Sequence, residues 1–419
     1  MFFCDRIRGK IGQKPYQSLD RNFTFSAYEF SRNVPKKDWD EVLKGKDIFL
    51  TLEYLSILEA INGGTFRGIY VVIYDNKIPC GIIYFQIIDF PAKTFGELLE
   101  DQIKSLNPGQ TKLFEEYIRE NENEVLMRLL TCGNNIVSGE HAFSFKEGIT
   151  KEKAFSLVEK IIDLVGNKEK LGGKISAILA KDFYSPVAVN SRKCFFNNEK
   201  FVQFNVEPNM IIDIPEGVKS ISDYLNHFSK KYRNRAKNIL KLSEALEIKE
   251  LTLEEIEKEN LQIFSLYEQV YEKAKFKIVK LPKDYFLNCK KRFAKDFNIR
   301  AFYLNKKMVA FSSSFYTPEN FVEAHYIGFE YEWNKEYELY QNILYKYIER
   351  AIHTNKRYVN LGRTASEIKS TVGAKAHELT CYIRPQNTIS KLVLKPFIQF
   401  LEPSEWVPRN PFKEGEVVS

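Results

Sequence analysis

A chain of 419 residues suggests two to three domains on ordinary size grounds. Hydrophobic residues make up 44% of it, including 33 Phe and 23 Tyr, so material for a sizeable core is present. The 62 basic and 55 acidic side chains leave a formal net charge of +7, far from the pattern of a dedicated duplex nucleic-acid binder but compatible with a local phosphate-bearing or anionic partner.

In the first half, residues 51–61 read as an amphipathic helix. Apolar strands over 68–74 and 78–88 follow, joined by the turn Asp75-Asn76-Lys77. Residues 124–131 and 141–145 read as a strand pair around a glycine-containing turn. A helix over 151–165 carries Phe155, Val158, Ile161, Ile162 and Val165 on one face. Short strands are expected at 174–179, 201–206 and 210–214.

The second half repeats this order. Helices are expected over 222–245, 253–275 and 283–294, then strands over 299–304 and 308–316 around Asn305-Lys306-Lys307. A strand over 320–329, a helix over 337–354 and strands over 358–361 and 377–383 complete it. The tetrad Tyr74-Asp75-Asn76-Lys77 has a counterpart in Tyr303-Leu304-Asn305-Lys306. The order of elements resembles the GNAT fold, which implies an α/β chain of mixed α+β type: two GNAT-like domains in tandem, each a mixed twisted sheet flanked by helices. The expected limits are 1–208 for the first domain, 209–386 for the second, which would hold the active site, and 387–419 for a tail. Within the tail, 389–401 reads as a segment docked on the core, with a membrane-surface helix as the rival reading.

The six cysteines (Cys4, Cys80, Cys132, Cys194, Cys289 and Cys381) form no CxxC pair, so neither a zinc knuckle nor a disulfide framework is expected. The five histidines have no metal-ligand spacing, and no metal is expected. Residues 1–8 lack the apolar core of a signal peptide, and no apolar run nears the roughly 20 residues that span a bilayer. The expected location is the cytoplasm, with peripheral contact at the inner face of the membrane.

Three segments carry chemistry. The first runs from Leu361 to Gly373 and directly follows a strand. Ligands of α/β sheets tend to sit beyond strand carboxyl ends, and Arg363 and Lys369 are suited to hold a phosphate or a developing oxyanion there. An ordinary loop with solvated charges is the alternative. The segment resembles one in FemAB-like tandem-GNAT acyltransferases, relatives of the aminoacyl ligases that build peptidoglycan bridges. In those enzymes a glycine after the strand is followed by Glu-x-Lys and a further glycine; Gly362, Glu367, Lys369 and Gly373 match. The helix before it, from Tyr340-Gln341 to Glu349-Arg350-Ala351-Ile352, also looks like theirs. The resemblance implies that Lys369 lies close to a reacting acyl ester, that Tyr340 lines the substrate site, and that the chemistry belongs to the bacterial cell envelope.

The second segment, Ser229 to Asn238, places Lys230, Arg233 and Lys237 on one helical face. It reads either as a phosphate-binding patch or as a solvated face. The third, Cys132 to His141, suggests a bulge or tight turn within a strand pair, with Glu140 and His141 at a strand start. His141 is a candidate general base toward an amine, His325 is its rival, and a structural histidine is the alternative for either. No Gly-rich phosphate loop follows the long strand at 328–337. No tightly bound cofactor is therefore expected. The donor is left open between acyl-CoA, acyl carrier protein and aminoacyl-tRNA. The partners expected are that donor, an amine acceptor and an anionic membrane surface; oligomeric state is left open. The expected activity is N-acyl or N-aminoacyl transfer to a phosphate-bearing or lipid-linked acceptor. N-acylation of an amino-lipid, as in ceramide formation, and a non-catalytic binding protein with a GNAT shell are the alternatives.

Overall fold

A computed structural model describes residues 17–19, 22–61, 66–104, 107–122, 124–166, 173–184, 201–274 and 279–415. The reading of residues 1–8 and of Cys4 and Cys194 lies outside them. The chain divides into two compact units, one of residues 1–206 and 378–403 and the other of residues 207–377 and 404–419.

In the first unit, β1 (Gln17–Ser18), β2 (Phe23–Tyr28), α1 (Lys36–Leu43) and α2 (Leu52–Leu58) precede a long hairpin of β3 (Phe66–Asp75) and β4 (Ile78–Pro91). Helices α3 (Ala92–Leu98), α4 (Glu100–Ile103) and α5 (Pro108–Glu120) follow, then β5 (Val125–Cys132), β6 (Phe143–Phe145), α6 (Lys151–Gly166) and β7 (Ala177–Tyr184). Its sheet runs β1-β2-β3-β4-β5-β7, with β6 also on β4. The core packs Phe155, Val158, Ile161 and Ile162 of α6 against Ile83, Phe85, Leu130 and Ile178 of the sheet.

The second unit contains the end of β8 (Val202–Asp213), then α7 (Ile221–Asn226), α8 (Lys230–Leu242), β9 (Glu247–Glu250), α9 (Leu253–Lys273) and α10 (Tyr285–Phe293). There follow β10 (Phe297–Leu304), β11 (Lys307–Tyr316), β12 (Phe321–Phe329), α11 (Tyr331–Tyr337), α12 (Leu339–His353), β13 (Tyr358–Asn360), α13 (Ser366–Ser370) and the start of β14 (Lys375–Pro385). Its sheet runs β8-β13-β12-β11-β10-β9. Helix α9 begins with the capping box Thr252/Glu255, each side chain bonding the other's backbone N–H. It crosses β12 at Gly328, where a Cβ would lie 2.4 Å from the backbone of Leu266.

The repeat is real at atomic level. Asn76 and Lys77 have φ of 47° and 70°, and Asn305 and Lys306 have 49° and 67°. Both are the two-residue connectors whose left-handed residues match strand twist. Both hairpins also shift register two residues before the turn, at Ile73/Tyr74 and Phe302/Tyr303.

Several boundaries differ from the sequence reading. The expected strands 201–206 and 210–214 form one strand, β8, because Met210 continues pairing past Pro208, bonding Gly362 and Leu361. The expected helix 222–245 breaks at His227 to Ser229, where Ser229 N–H bonds Pro411 and Phe412 seats edge-on against Tyr224 and Phe228. Residues 124–131 and 141–145 do not pair with each other; β5 and β6 lie one after the other along β4. The tail forms α14 (Thr388–Leu392) and α15 (Leu394–Leu401), with Val393, Phe397 and Phe400 buried and Phe397 stacked on Phe95. Phe397 and Phe400 are thus taken up by packing rather than offered to a lipid surface.

Candidate functional site

In the second unit, β12 and β13 are parallel and pair only over Phe321↔Tyr358, Val322↔Val359 and Glu323↔Asn360. β13 then stops while β12 continues to Phe329. The end of such a ladder leaves backbone groups in need of partners, the situation that makes strand ends binding sites.

The loop leaving β13 is bent sharply: Gly362, Thr364 and Ala365 have φ of 69°, 68° and 51°. Two of these are not glycine, and such conformations cost about 1–3 kcal/mol each unless the surroundings enforce them. The surroundings do. Asn360 Oδ1 accepts the Gly362 N–H at 2.9 Å, and Gly362 C=O accepts from Met210 at 3.1 Å. From α13, the buried Lys369 reaches back, and its Nζ donates to Gly362 C=O at 3.1 Å and Arg363 C=O at 2.6 Å. Burial pushes the Lys369 amine down to about 7, Glu207 opposes that shift, and Arg363 adds to it. Near neutral pH a large share of Lys369 is therefore an uncharged amine, which can take a proton as well as stabilise charge.

Gly362, Arg363, Glu367, Lys369 and Gly373 are gathered in this one turn. Glu367 pairs with Arg409 at 2.5 and 3.0 Å. Gly373 (φ 101°) is packed so tightly that a Cβ would lie 2.4 Å from the Tyr224 hydroxyl, which itself donates to Val372 C=O. Its role is steric.

His325 lies on β12. Its Nε2 is hydrogen-bonded to the Tyr285 hydroxyl at 2.6 Å, and its ring sits between Tyr285 and Phe315. Burial lowers its pKa to about 3, so it is neutral across the physiological range. Tyr326, next along the strand, was not singled out by the sequence. Its hydroxyl is pushed far up by burial, and Arg363 acts against that shift. Its backbone N–H and C=O both bond the Ser313 hydroxyl, at 3.0 and 2.8 Å, where β11 shifts register between Ser312 and Ser314. Three serines in an otherwise apolar strand were the available signal for this bulge. Tyr340 is largely packing: its ring meets Phe329 and its N–H bonds Asn334.

Helix α8 presents Lys230 and Lys237 to solvent, with Arg233 half-buried, while Ala236 and Ile239 face the core. None of these three cations forms an ion pair among the described residues. Lys230 and Lys231 occupy the first turn, where the helix dipole disfavours cations, and the Ser229 side chain makes no cap. The N-terminus of α11 opens instead on a groove of about 720 Å³ lined by Glu268, Glu272, Glu330 and Glu332 with Lys273 and Lys307. A pyrophosphate placed there would meet four carboxylates.

In the first unit, His141 Nδ1 pairs with Asp47 at 2.8 Å, and Glu140 accepts the Tyr184 N–H at 3.0 Å with its pKa raised by burial. Their loop precedes β6 and is held by the buried Lys181, whose Nζ donates to Asn134 and Val137 C=O at 3.0 and 3.1 Å and pairs with Asp182.

No family model matches the sequence, and no curated protein sequence matches it. Solved structures do resemble it. FemX shares 10% identity over 86% of this chain and 98% of its own, with a TM-score of 0.52. A tandem GNAT protein from the clavulanic acid biosynthesis pathway shares 6% over 87% and 99%, with a TM-score of 0.50. The fold is the FemAB-like tandem-GNAT fold, mixed α/β throughout. Among the described residues no helix is long and apolar enough to cross a membrane.

Proposed function

We propose that the chain is an N-acyltransferase that joins an acyl or aminoacyl group to an amine at the turn after β13. The observation that carries this reading is Lys369: a buried lysine with a pKa near 7, bonded to the carbonyls of a strained loop at the end of a parallel strand pair, beside Arg363. Arg363 holds the negative charge that develops on the acyl oxygen, and Lys369 assists when protonated. The tandem-GNAT fold supports the same class of reaction. The acidic groove at α11 and the missing Gly-rich loop favour a donor other than plain acetyl-CoA, such as an acyl carrier protein or aminoacyl-tRNA. The uncapped, unpaired cationic turn of α8 favours an acceptor bearing phosphate, including an amino-lipid or lipid-linked precursor at the cytoplasmic face of a membrane.

A binding protein that keeps the shell is the second reading. The observation in its favour is that both Lys369 hydrogen bonds go to main-chain carbonyls, as a purely structural lysine's would. The two separate by experiment. Purified protein is offered acyl-CoA, acyl carrier protein and aminoacyl-tRNA donors with amine acceptors, and products are read by mass spectrometry. Lys369→Met is expected to lower turnover by about 10²–10³ with unchanged circular dichroism. Equal turnover in the variant sinks the catalytic role; no product from any donor leaves the binding reading.

A further inference from the structure

Glu207, at the start of the second unit on β8, is not explained by the fold. Its Oε2 is shut off from solvent and has no hydrogen-bond partner among the described residues. A buried carboxylate oxygen without a donor is costly, and native proteins rarely keep one unless something else supplies the partner. Its strand leads to the turn described above: β8 runs antiparallel to β13, and Met210 bonds both Leu361 and Gly362. The charge of Glu207 acts on Lys369, yet Lys369 spends its hydrogen bonds on Gly362 and Arg363 carbonyls instead. The site thus contains a carboxylate oxygen, closed to solvent, whose neighbouring lysine donates its hydrogen bonds elsewhere.

We propose that Glu207 recognises the acceptor, its carboxylate binding the ammonium of a primary amine as that amine enters beside Lys369. The proposal deepens the acyltransferase reading and rests on it for the chemical step. The bound R–NH3+ passes one proton to the neutral Lys369 amine. The freed nitrogen lone pair attacks the carbonyl carbon of a thioester or ester donor, forming the C–N bond. The tetrahedral adduct loses a second nitrogen proton to solvent. The bond from carbon to the leaving sulfur or oxygen breaks with its electron pair, and the leaving group takes the Lys369 proton. One proton stays on the amide, one departs with the leaving group, and one goes to water, while Lys369 returns to its starting form. Glu207 is unchanged throughout, so it serves as a binding and positioning residue.

The test separates recognition from catalysis. Binding of n-hexylammonium and of n-hexanol, matched in shape and differing in charge, is measured by calorimetry on the full chain. Wild type is expected to prefer the ammonium by at least about tenfold, as one charge-assisted hydrogen bond warrants. Glu207→Gln is expected to lose that preference, and Glu207→Asp to keep part of it. The Lys369 titration midpoint, followed by 13C NMR of labelled lysine, is expected to fall in Glu207→Gln because the carboxylate raises it. Equal binding of the two probes by wild type overturns the proposal, and this arm needs no variant to fold. A preserved ammonium preference or an unmoved midpoint in Glu207→Gln also overturns it. A Glu207-dependent preference in a protein that transfers no acyl group from any donor leaves the recognition site standing and defeats the transferase reading alone.

Discussion

Each unit contains a parallel strand pair with a buried lysine beyond the last paired residues, and the two lysines have different partners. In the first unit β5 and β7 pair up to Cys132↔Ala180, and Lys181 comes next. In the second, β12 and β13 pair up to Glu323↔Asn360, and Lys369 lies on the short helix beyond. Both donate to two loop carbonyls. Lys181 also pairs with Asp182, which is fully buried and accepts the Gly139 N–H. Among the described residues Lys369 has no carboxylate within ion-pair distance, and Glu207 acts on it only through its field. The lysine near the end of the parallel pair is thus held in an ion pair on the strand itself in one unit, and stands on a separate short helix without such a partner among the described residues in the other. A buried carboxylate at hydrogen-bond distance keeps an ammonium charged; without it, desolvation lets the proton go.

The comparison breaks first at Lys181. Lys181→Met strands the Asp182 carboxylate in the core and is expected to cost about 3–5 kcal/mol of stability, read by urea denaturation. Lys181→Met combined with Asp182→Asn should recover much of that loss. If the single variant is as stable as wild type, the ion pair is not what holds that loop.

Lys369 is expected to behave differently with pH. Its folded pKa of about 7 lies below the ordinary 10.5 of the unfolded chain. Between these values the unfolded state binds more protons, so this group makes stability rise with pH from about 7 to 10.5 and contributes nothing further below 7. The slope approaches about 1.4 kcal/mol per pH unit at most. Lys369→Met should lose that slope in denaturation curves collected across the window; an identical slope would show that Lys369 titrates normally.

His325 sharpens the contrast on the acid side. Its folded pKa of about 3 lies below the usual 6.5, so the unfolded chain takes the proton first and stability falls as pH drops from 6.5 toward 3. His325→Phe should flatten that decline, by about 1 kcal/mol or more at pH 5 relative to pH 7, in paired melts. The smallest effect is expected at α8. Arg233→Ala with Lys237→Ala should leave the melting temperature within about 1–2 °C while weakening a phosphate-bearing acceptor several-fold, an effect that salt should erase. A double variant that binds such an acceptor as wild type does makes α8 a solvated face.

What the sequence determined by itself was local and periodic. The two Asn-Lys turns follow from residues that tolerate left-handed backbone between apolar runs; α6 and α12 follow from apolar spacing, and α9 from spacing and its capping box. The turn from Gly362 to Gly373 was legible because glycines and charges stand where a strand ends. What only tertiary structure decided depended on residues distant along the chain. The break at Phe228 needs Phe412, and the docking of α15 needs Phe95. The protonation state of Lys369 follows from burial by elements that no local pattern announces, and the open oxygen of Glu207 reflects the lack of a donor among the described residues packed around it. A side chain's charge and hydrogen-bond balance depend on everything packed around it, and that environment is set by contacts between distant residues.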